Sequence, residues 1–333
     1  MTPNRGDFYE GPFGIGEDRW SAKEKATMST QDQKAKKPRI LILGSTGRIG
    51  SRVIADIAKV DAVEAVYSSR SPDQVDVWRK GSKDAVLLDL DRPETFPEAL
   101  TEVDRLFLAT GYSVAMVHQS KTIVDAAVDA GVSFIVHLGI FGNGRMTYAY
   151  ATWHEMVERY IEGSGVAWAH LHPHFFMDNL LAASPVVDGK LYWFMGRQAV
   201  GWVAPEDVAA VAAKILTDGP ERHGGNQYWL STDFLNGSQA AAEISKGLAL
   251  PVEAIVLTPD DLVKQVANGA MKLPSFVEAT YGASMLEWVR QTYEGRLNFK
   301  GATSTVEDVT GNKPQTLEMW VRANRQAILS AAS

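Results

Sequence analysis

Chemistry first becomes possible in this chain at Gly44-Ser45-Thr46-Gly47-Arg48-Ile49-Gly50, which has glycine at its first, fourth and seventh positions. Glycines so spaced permit a tight turn and a close approach of backbone to a ligand. Where such a turn opens a helix, free N–H groups and the positive end of the helix dipole attract anions, which suits a dinucleotide pyrophosphate. A second group is Tyr150 and His154, one helical turn apart and therefore on one face. A phenol there can donate a proton to a developing alkoxide while the imidazole tunes or orients it; a packed tyrosine beside a capping histidine accounts for the same pair. A third is His170, His172 and His174. Alternation would set them on one side of an extended segment, but Pro173 interrupts the strand pattern and no carboxylate pairing is evident. The reading is no metal, and histidines that are either satisfied in the core or turned to a cofactor.

These residues need elements to position them. Ile40-Leu41-Ile42-Leu43 reads as a strand buried on both faces, and Ser51 to Ala58 has helical periodicity. A second strand, Ala62 to Tyr67, ends at Ser68-Ser69-Arg70, where a dinucleotide fold meets the adenosine ribose. A carboxylate there reads the 2′-hydroxyl of NAD; a cation reads the 2′-phosphate of NADP. Arg70 favours NADP(H), through the forked contact of a guanidinium to phosphate, while Asp73 nearby keeps NAD(H) open. Ala85 to Leu88 is a third strand, ending at Asp89-Leu90, where a short polar side chain can meet the adenine amino group. Arg92-Pro93-Glu94-Thr95 looks like a helix entry. Strand 105–109, helix 116–129, strand 133–138, a helix from Tyr148 and strand 166–171 continue the alternation. That pattern predicts an α/β fold, a doubly wound parallel Rossmann sheet with right-handed crossovers. Ligands sit beyond the carboxyl ends of such strands. This assigns Thr110, Gly111, Tyr112 and His137 to the nicotinamide half, with Phe175-Phe176 as a wall of the nicotinamide face or as core.

With 333 residues, 45% hydrophobic and 22% charged, the chain has the composition of a soluble globular protein. Its net charge of −7 argues against a nucleic-acid partner. The absence of cysteine excludes disulfides, thiolate chemistry and Cys-ligated zinc, and is permissive of a cytoplasmic location. No apolar run approaches a membrane span. Residues 1–38 read as a polar extension; Phe8, Tyr9, Phe13 and Trp20 offer the alternative of packing on the domain or on the partner subunit of a homodimer. Residues 39–185 read as the NADP-binding domain. Residues 186–333 return to the sheet and form a small α/β cap, with strands at 227–230 and 254–257 and helices at 237–248, from Pro259, around 276–293 and over 314–329. Trp193, Trp202, Met271, Phe276, Trp288 and Tyr293 are candidates for an aromatic cleft in that cap, each otherwise core.

Gly44-x-x-Gly47-x-x-Gly50, Arg70, Asp89, the His154…Glu158 helix, the turn Pro173-His174-Phe175-Phe176-Met177-Asp178-Asn179 and the segment Pro205 to Val211 together resemble the NmrA-like family of atypical, extended-type short-chain dehydrogenase/reductases. The similarity runs from about Arg39 to the carboxyl terminus and is to the branch of quinone oxidoreductases and triphenylmethane dye reductases. It implies NADP(H) at the glycine turn, Arg70, Thr110 to Tyr112, the strand end at His137 and the Pro173 turn. The chain departs from the ordinary Tyr-x-x-x-Lys pair, with His154 where lysine stands, and has Leu138-Gly139 where a serine is usual. A histidine at the His154 position fits the quinone and dye branch; Tyr150 is not carried over from it. The implied activity is NADPH-dependent hydride transfer to a small, conjugated, electron-poor acceptor, quinone-like or cationic aromatic. Two alternatives stand beside it: carbonyl or imine reduction with Tyr150 as the acid, and a non-catalytic NADP(H)-sensing regulator.

Overall fold

Apolar runs of three to seven residues, covered on both faces, build the central layer. In the computed structural model, residues 36–142, 146–182, 186–269, 271, 277–297, 299 and 301–331 are described. The aromatic residues before Lys36, and Phe276, lie outside them. The first half runs β1 (Arg39–Ile42), α1 (Gly50–Ile57), β2 (Glu64–Ser69), α2 (Pro72–Lys80), β3 (Ala85–Leu87), a 3-10 turn into α3 (Phe96–Ala99), β4 (Arg105–Leu108), α4 (Met116–Asp129), β5 (Phe134–Leu138), α5 (Ala149–Gly163) and β6 (Ala167–Pro173). The second runs β7 (Phe175–Phe176), β8 (Val186–Val187), β9 (Lys190–Trp193), β10 (Val200–Val203), α6 (Pro205–Asp218), α7 (Pro220–His223), β11 (Asn226–Leu230), β12 (Asp233–Leu235) and α8 (Gly237–Leu248). It closes with β13 (Glu253–Val256), α9 (Pro259–Ala267), α10 (Ala279–Tyr293), α11 (Thr305–Thr310), α12 (Leu317–Ala323) and α13 (Arg325–Ala331).

Seven strands pair in parallel in the order β11-β6-β5-β4-β1-β2-β3. The chain moves outward from β1 to β3, returns to β4 on the other side of β1, and winds outward again. This is the doubly wound α/β fold, and the direction reverses between β1 and β4, where such sheets leave a crevice. Alternation divides the core. Ile40 and Ile42 pack with α1 and α6 on one face, and Leu41 and Leu43 with α4 and α5 on the other. Ile40, Leu41 and Ile42 are fully buried, each contributing roughly 1.5–3 kcal/mol by transfer from water.

Residues from 186 onward divide between this sheet, to which α6 and β11 belong, and a cap. The cap holds two three-stranded sheets, β12-β10-β7 and β13-β9-β8, around a core containing Trp193, Trp202 and Trp320. Trp193 and Trp202, read from sequence as cleft candidates, are 2% and 0% exposed and are cap core. Other differences have local causes. β2 runs on to Ser69 because the Ser68 hydroxyl donates to the Ile42 carbonyl, which lets a polar residue stay in the sheet. Pro173 does not interrupt β6 but ends it, opposite Leu230, a position where a missing N–H is tolerated. The expected single helix over 314–329 is two, divided at Asn324, whose amide donates to the Trp320 carbonyl. No helix among the described residues is long and apolar enough to cross a membrane.

Candidate functional site

The glycine turn is shaped by its own backbone. Gly44 has φ +70, where a side chain would be strained, and the Gly47 N–H donates to the Gly44 carbonyl at 2.7 Å. A Cβ on Gly47 would lie 3.0 Å from that oxygen, and one on Gly50 only 2.2 Å from it. Ser45 is buried: its hydroxyl donates to the Ile42 carbonyl and accepts from the Ser68 N–H, fastening the turn to β2. Thr46 is exposed at the apex, and Ile49 packs into the core at the start of α1. No side chain caps that helix start and no acid lies in its first turn. A turn closed by glycines, with uncapped, unopposed N–H groups, fits a pyrophosphate. Arg48 reaches across instead, pairing with Asp178 at 3.1 Å and stacking over the Phe176 ring, so it ties the turn to the segment after β6.

Arg70 is exposed just beyond β2, with no ion-pair partner among the described residues, and Asp73 sits in the first turn of α2. The Asp89 carboxylate accepts from the Asp91 N–H, and Leu90 packs on the core, so this pair shapes the loop after β3.

Beyond β4, β5 and β6 lies a cleft of about 220 Å³. Thr110, Gly111, Tyr112, Tyr150, His154, Pro173, His174, Phe175 and Phe176 all line it, together with Arg48. Thus the residues read from sequence as the nicotinamide half, the Tyr150–His154 pair and the Pro173 turn share one cavity. His137 does not: it is fully enclosed beneath α5, because residues alternate along β5 and this one points inward. Its assignment to the cofactor is corrected on that ground.

Sequence reasoning missed the far wall. Tyr281, Met285 and Trp288 of α10 face the cleft at i, i+4 and i+7, a helical stripe that was present in the sequence. His154 Nε2 lies 3.3 Å from the Tyr281 hydroxyl, whereas the Tyr150 ring packs, tilted, against Tyr281 at 5.3 Å and against Tyr148 at 4.8 Å. Burial pushes the Tyr150 and Tyr281 phenols above their ordinary range. Met271 belongs to a small separate cluster and Tyr293 is 36% exposed, so of the five aromatic-cleft candidates among the described residues Trp288 is the one that lines this cavity.

Beneath α5, the strands carry buried imidazoles. His137 of β5 and His170 of β6 are cross-strand partners 5.4 Å apart, and His172 stacks on Trp229 of β11. Carboxylates lie near two of them: Glu162 is 3.7 Å from His170, and Glu158 3.6 Å from His172. Desolvation lowers all of these imidazoles, with His154 and His170 at about 3, and raises the Glu158 carboxyl to about 8. His174 stands apart in the cleft between Phe141 and Phe299. Among the described residues no group of three or more His, Cys, Asp or Glu is arranged to hold a metal ion.

A parallel sheet wound both ways from a glycine turn, with an aromatic cleft beyond its strand ends, defines a Rossmann-type α/β protein. The chain belongs to the NmrA-like family, whose model matches residues 36–317. It is 28% identical over 301 residues to an NAD(P)H azoreductase of Xenophilus azovorans, spanning 88% of this chain and 100% of that protein. The NADPH-dependent quinone oxidoreductase of Escherichia coli, complexed with NADPH, has the same fold at TM-score 0.72 and 23% identity, over 86% of this chain and 98% of that one. The triphenylmethane reductase of Citrobacter sp., complexed with NADP(H), matches at TM-score 0.71 and 20% identity, over 87% and 100%.

Proposed function

We propose that the chain is an NADPH-dependent reductase that transfers hydride to a conjugated, electron-poor small molecule. The observation that carries this is the cleft at the switch point of the sheet. Its walls are Phe141, Phe175, Phe176, Tyr281 and Trp288, and among the described residues neither lysine nor carboxylate lines it. Aromatic walls suit a flat, delocalised acceptor through offset or edge-to-face stacking. The names of the relatives, an azoreductase, a quinone oxidoreductase and a triphenylmethane reductase, support acceptors of this kind.

In this reading NADPH, when bound, supplies the hydride. The N–H groups of the glycine turn other than that of Gly47, which is held by the Gly44 carbonyl, would hold its pyrophosphate at the start of α1, and Arg70 would meet the 2′-phosphate. Arg48, fixed by Asp178 and Asn179, holds the glycine turn against the Pro173 segment and so keeps the nicotinamide half of the cleft in register with the phosphate half. The Tyr281 hydroxyl, oriented by His154, is the polar group that meets the acceptor. Carbonyl or imine reduction with Tyr150 as acid has less support, since that ring lies against Tyr148 and Tyr281, and it is the Tyr281 hydroxyl that meets His154. Following NADPH oxidation with a panel of quinones, azo dyes, triarylmethane dyes, ketones and imines tests the proposal. Turnover restricted to ketones or imines would overturn the acceptor class.

A further inference from the structure

α5 presents His154, Glu158 and Glu162 at intervals of four residues, on one helical face. Among the described residues His154 is also the one polar side chain common to two cavities. One is the aromatic cleft. The other, of about 430 Å³, lies on the far side of Ile140 and Phe141 and is lined by Glu158, Glu155, Arg159, His172, Gln227 and Trp229 among others. In the cleft His154 Nε2 meets the Tyr281 hydroxyl; its Nδ1 has no hydrogen-bond partner among the described residues. Glu158 is 15% exposed and reaches solvent through the larger cavity. A cavity of that size with several polar walls holds water readily.

From this arrangement we infer that Glu158, through water and His154, delivers a proton to the Tyr281 hydroxyl, so that the enzyme protonates neutral acceptors inside the cleft. The inference rests on the reductase reading above. Hydride addition to a neutral quinone or azo bond leaves an anion. Tyr281 gives that anion its hydroxyl proton and is resupplied from His154 Nε2–H. His154 Nδ1 takes a proton that originates on the Glu158 carboxyl, and solvent in the larger cavity restores Glu158. The sum is acceptor, NADPH and one proton from solvent, giving reduced acceptor and NADP+. A cationic dye becomes neutral on taking hydride and needs no proton, so the path is specific to neutral acceptors.

Among the described residues the charged and titratable groups facing Glu158 are Glu155, Arg159 and Glu162 of its own helix and His172 of β6. Desolvation outweighs them and leaves the carboxyl protonated up to about pH 8. His154, lowered to about 3, stays neutral and can pass a proton from one ring nitrogen to the other.

Glu158→Gln keeps the side-chain shape and removes the titrating group. The expected loss in kcat with a neutral quinone is about 10²-fold or more, with NADPH affinity unchanged and reduction of a cationic triarylmethane dye altered less than about threefold. Wild-type kcat with the quinone should fall as pH rises through about 8, a dependence absent in Glu158→Gln and regained in Glu158→Asp. Independently of turnover, infrared spectra should show a protonated carboxyl band that titrates in the same range and is missing from the variant. Equal losses with both acceptors, an unaltered quinone rate, or an ionised Glu158 at neutral pH would each overturn the relay. A wild-type protein that reduces the dye but no neutral acceptor also overturns it; one that reduces neither refutes the reductase reading and the relay with it.

Discussion

Acid should unfold this protein through its histidines. His154, His170 and His174 are at least nine-tenths buried, and burial holds each at about 3. In the unfolded chain each takes up a proton near its ordinary value of about 6.5. Between about pH 6.5 and 3 the unfolded chain therefore binds protons that the native chain refuses, and stability falls as pH falls. Among the described residues four carboxyls act the other way, Glu158, Asp178, Asp207 and Asp233. Glu158 and Asp207 are raised by desolvation to about 8 and about 6. Above the unfolded value of about 4, the native chain holds protons there that the unfolded chain has released, so their contribution improves as pH falls. Near pH 5 three imidazoles stand against Glu158 and Asp207, a net of one proton, or about 1.4 kcal/mol per pH unit. Below about pH 4 the carboxyls no longer differ between states, and the three imidazoles alone give about 4 kcal/mol per unit. His137, His172 and His223, also lowered, steepen both slopes, while Asp178 and Asp233, also raised, flatten the first. Against a total stability on the order of 5–15 kcal/mol, the native state should be lost between about pH 5 and 3. Urea unfolding at a series of pH values measures this directly. A midpoint that stays level from about pH 7 to 4 would show that the native imidazoles are charged, and would refute the neutral histidine layer.

Gly50→Ala places a Cβ where the Gly44 oxygen now stands 2.2 Å away; the turn must shift at about 1–3 kcal/mol, and fluorescence titration should show NADPH affinity lowered at least about tenfold. Unchanged affinity would remove the pyrophosphate from this turn. Arg70→Ala should weaken NADPH by about tenfold to a hundredfold, from a charge-assisted contact of roughly 1.5–3 kcal/mol, while leaving NADH nearly untouched; equal losses would mean that Arg70 reads no phosphate. Tyr150→Phe should change kcat by less than about threefold with quinone or dye, and a loss of about a hundredfold would return the acid role to Tyr150.

The sheet was legible because its strands are buried on both faces and read as unbroken apolar runs, each ending at a turn signal such as Gly44, Ser69 or Thr110. The cap was less so. β9 and β10 are four residues long and Trp193 and Trp202 lie in one core, a pairing that depends on contacts distant in sequence. At the site, spacing within one element was informative and partnership between elements was not. Tyr150 and His154 do share a helical face and a cavity, yet His154 takes its hydrogen-bond partner from α10, well over a hundred residues later. His137 shows the converse: the strand end was correctly placed beside the cleft, but side-chain parity turned this residue inward. The carboxylates near His170 and His172 were invisible because they come from the preceding helix, across a crossover whose packing alone sets the register.

The central claim is hydride transfer from NADPH at this cleft. Stopped-flow mixing of the purified protein and NADPH with a quinone or an azo dye, using cofactor deuterated at its transferable position, tests it most directly. The account expects cofactor oxidation in step with acceptor reduction, slowed by the deuterium. NADPH that binds tightly but is oxidised by no acceptor in the panel would contradict it, and would make the chain a cofactor-binding protein without this chemistry.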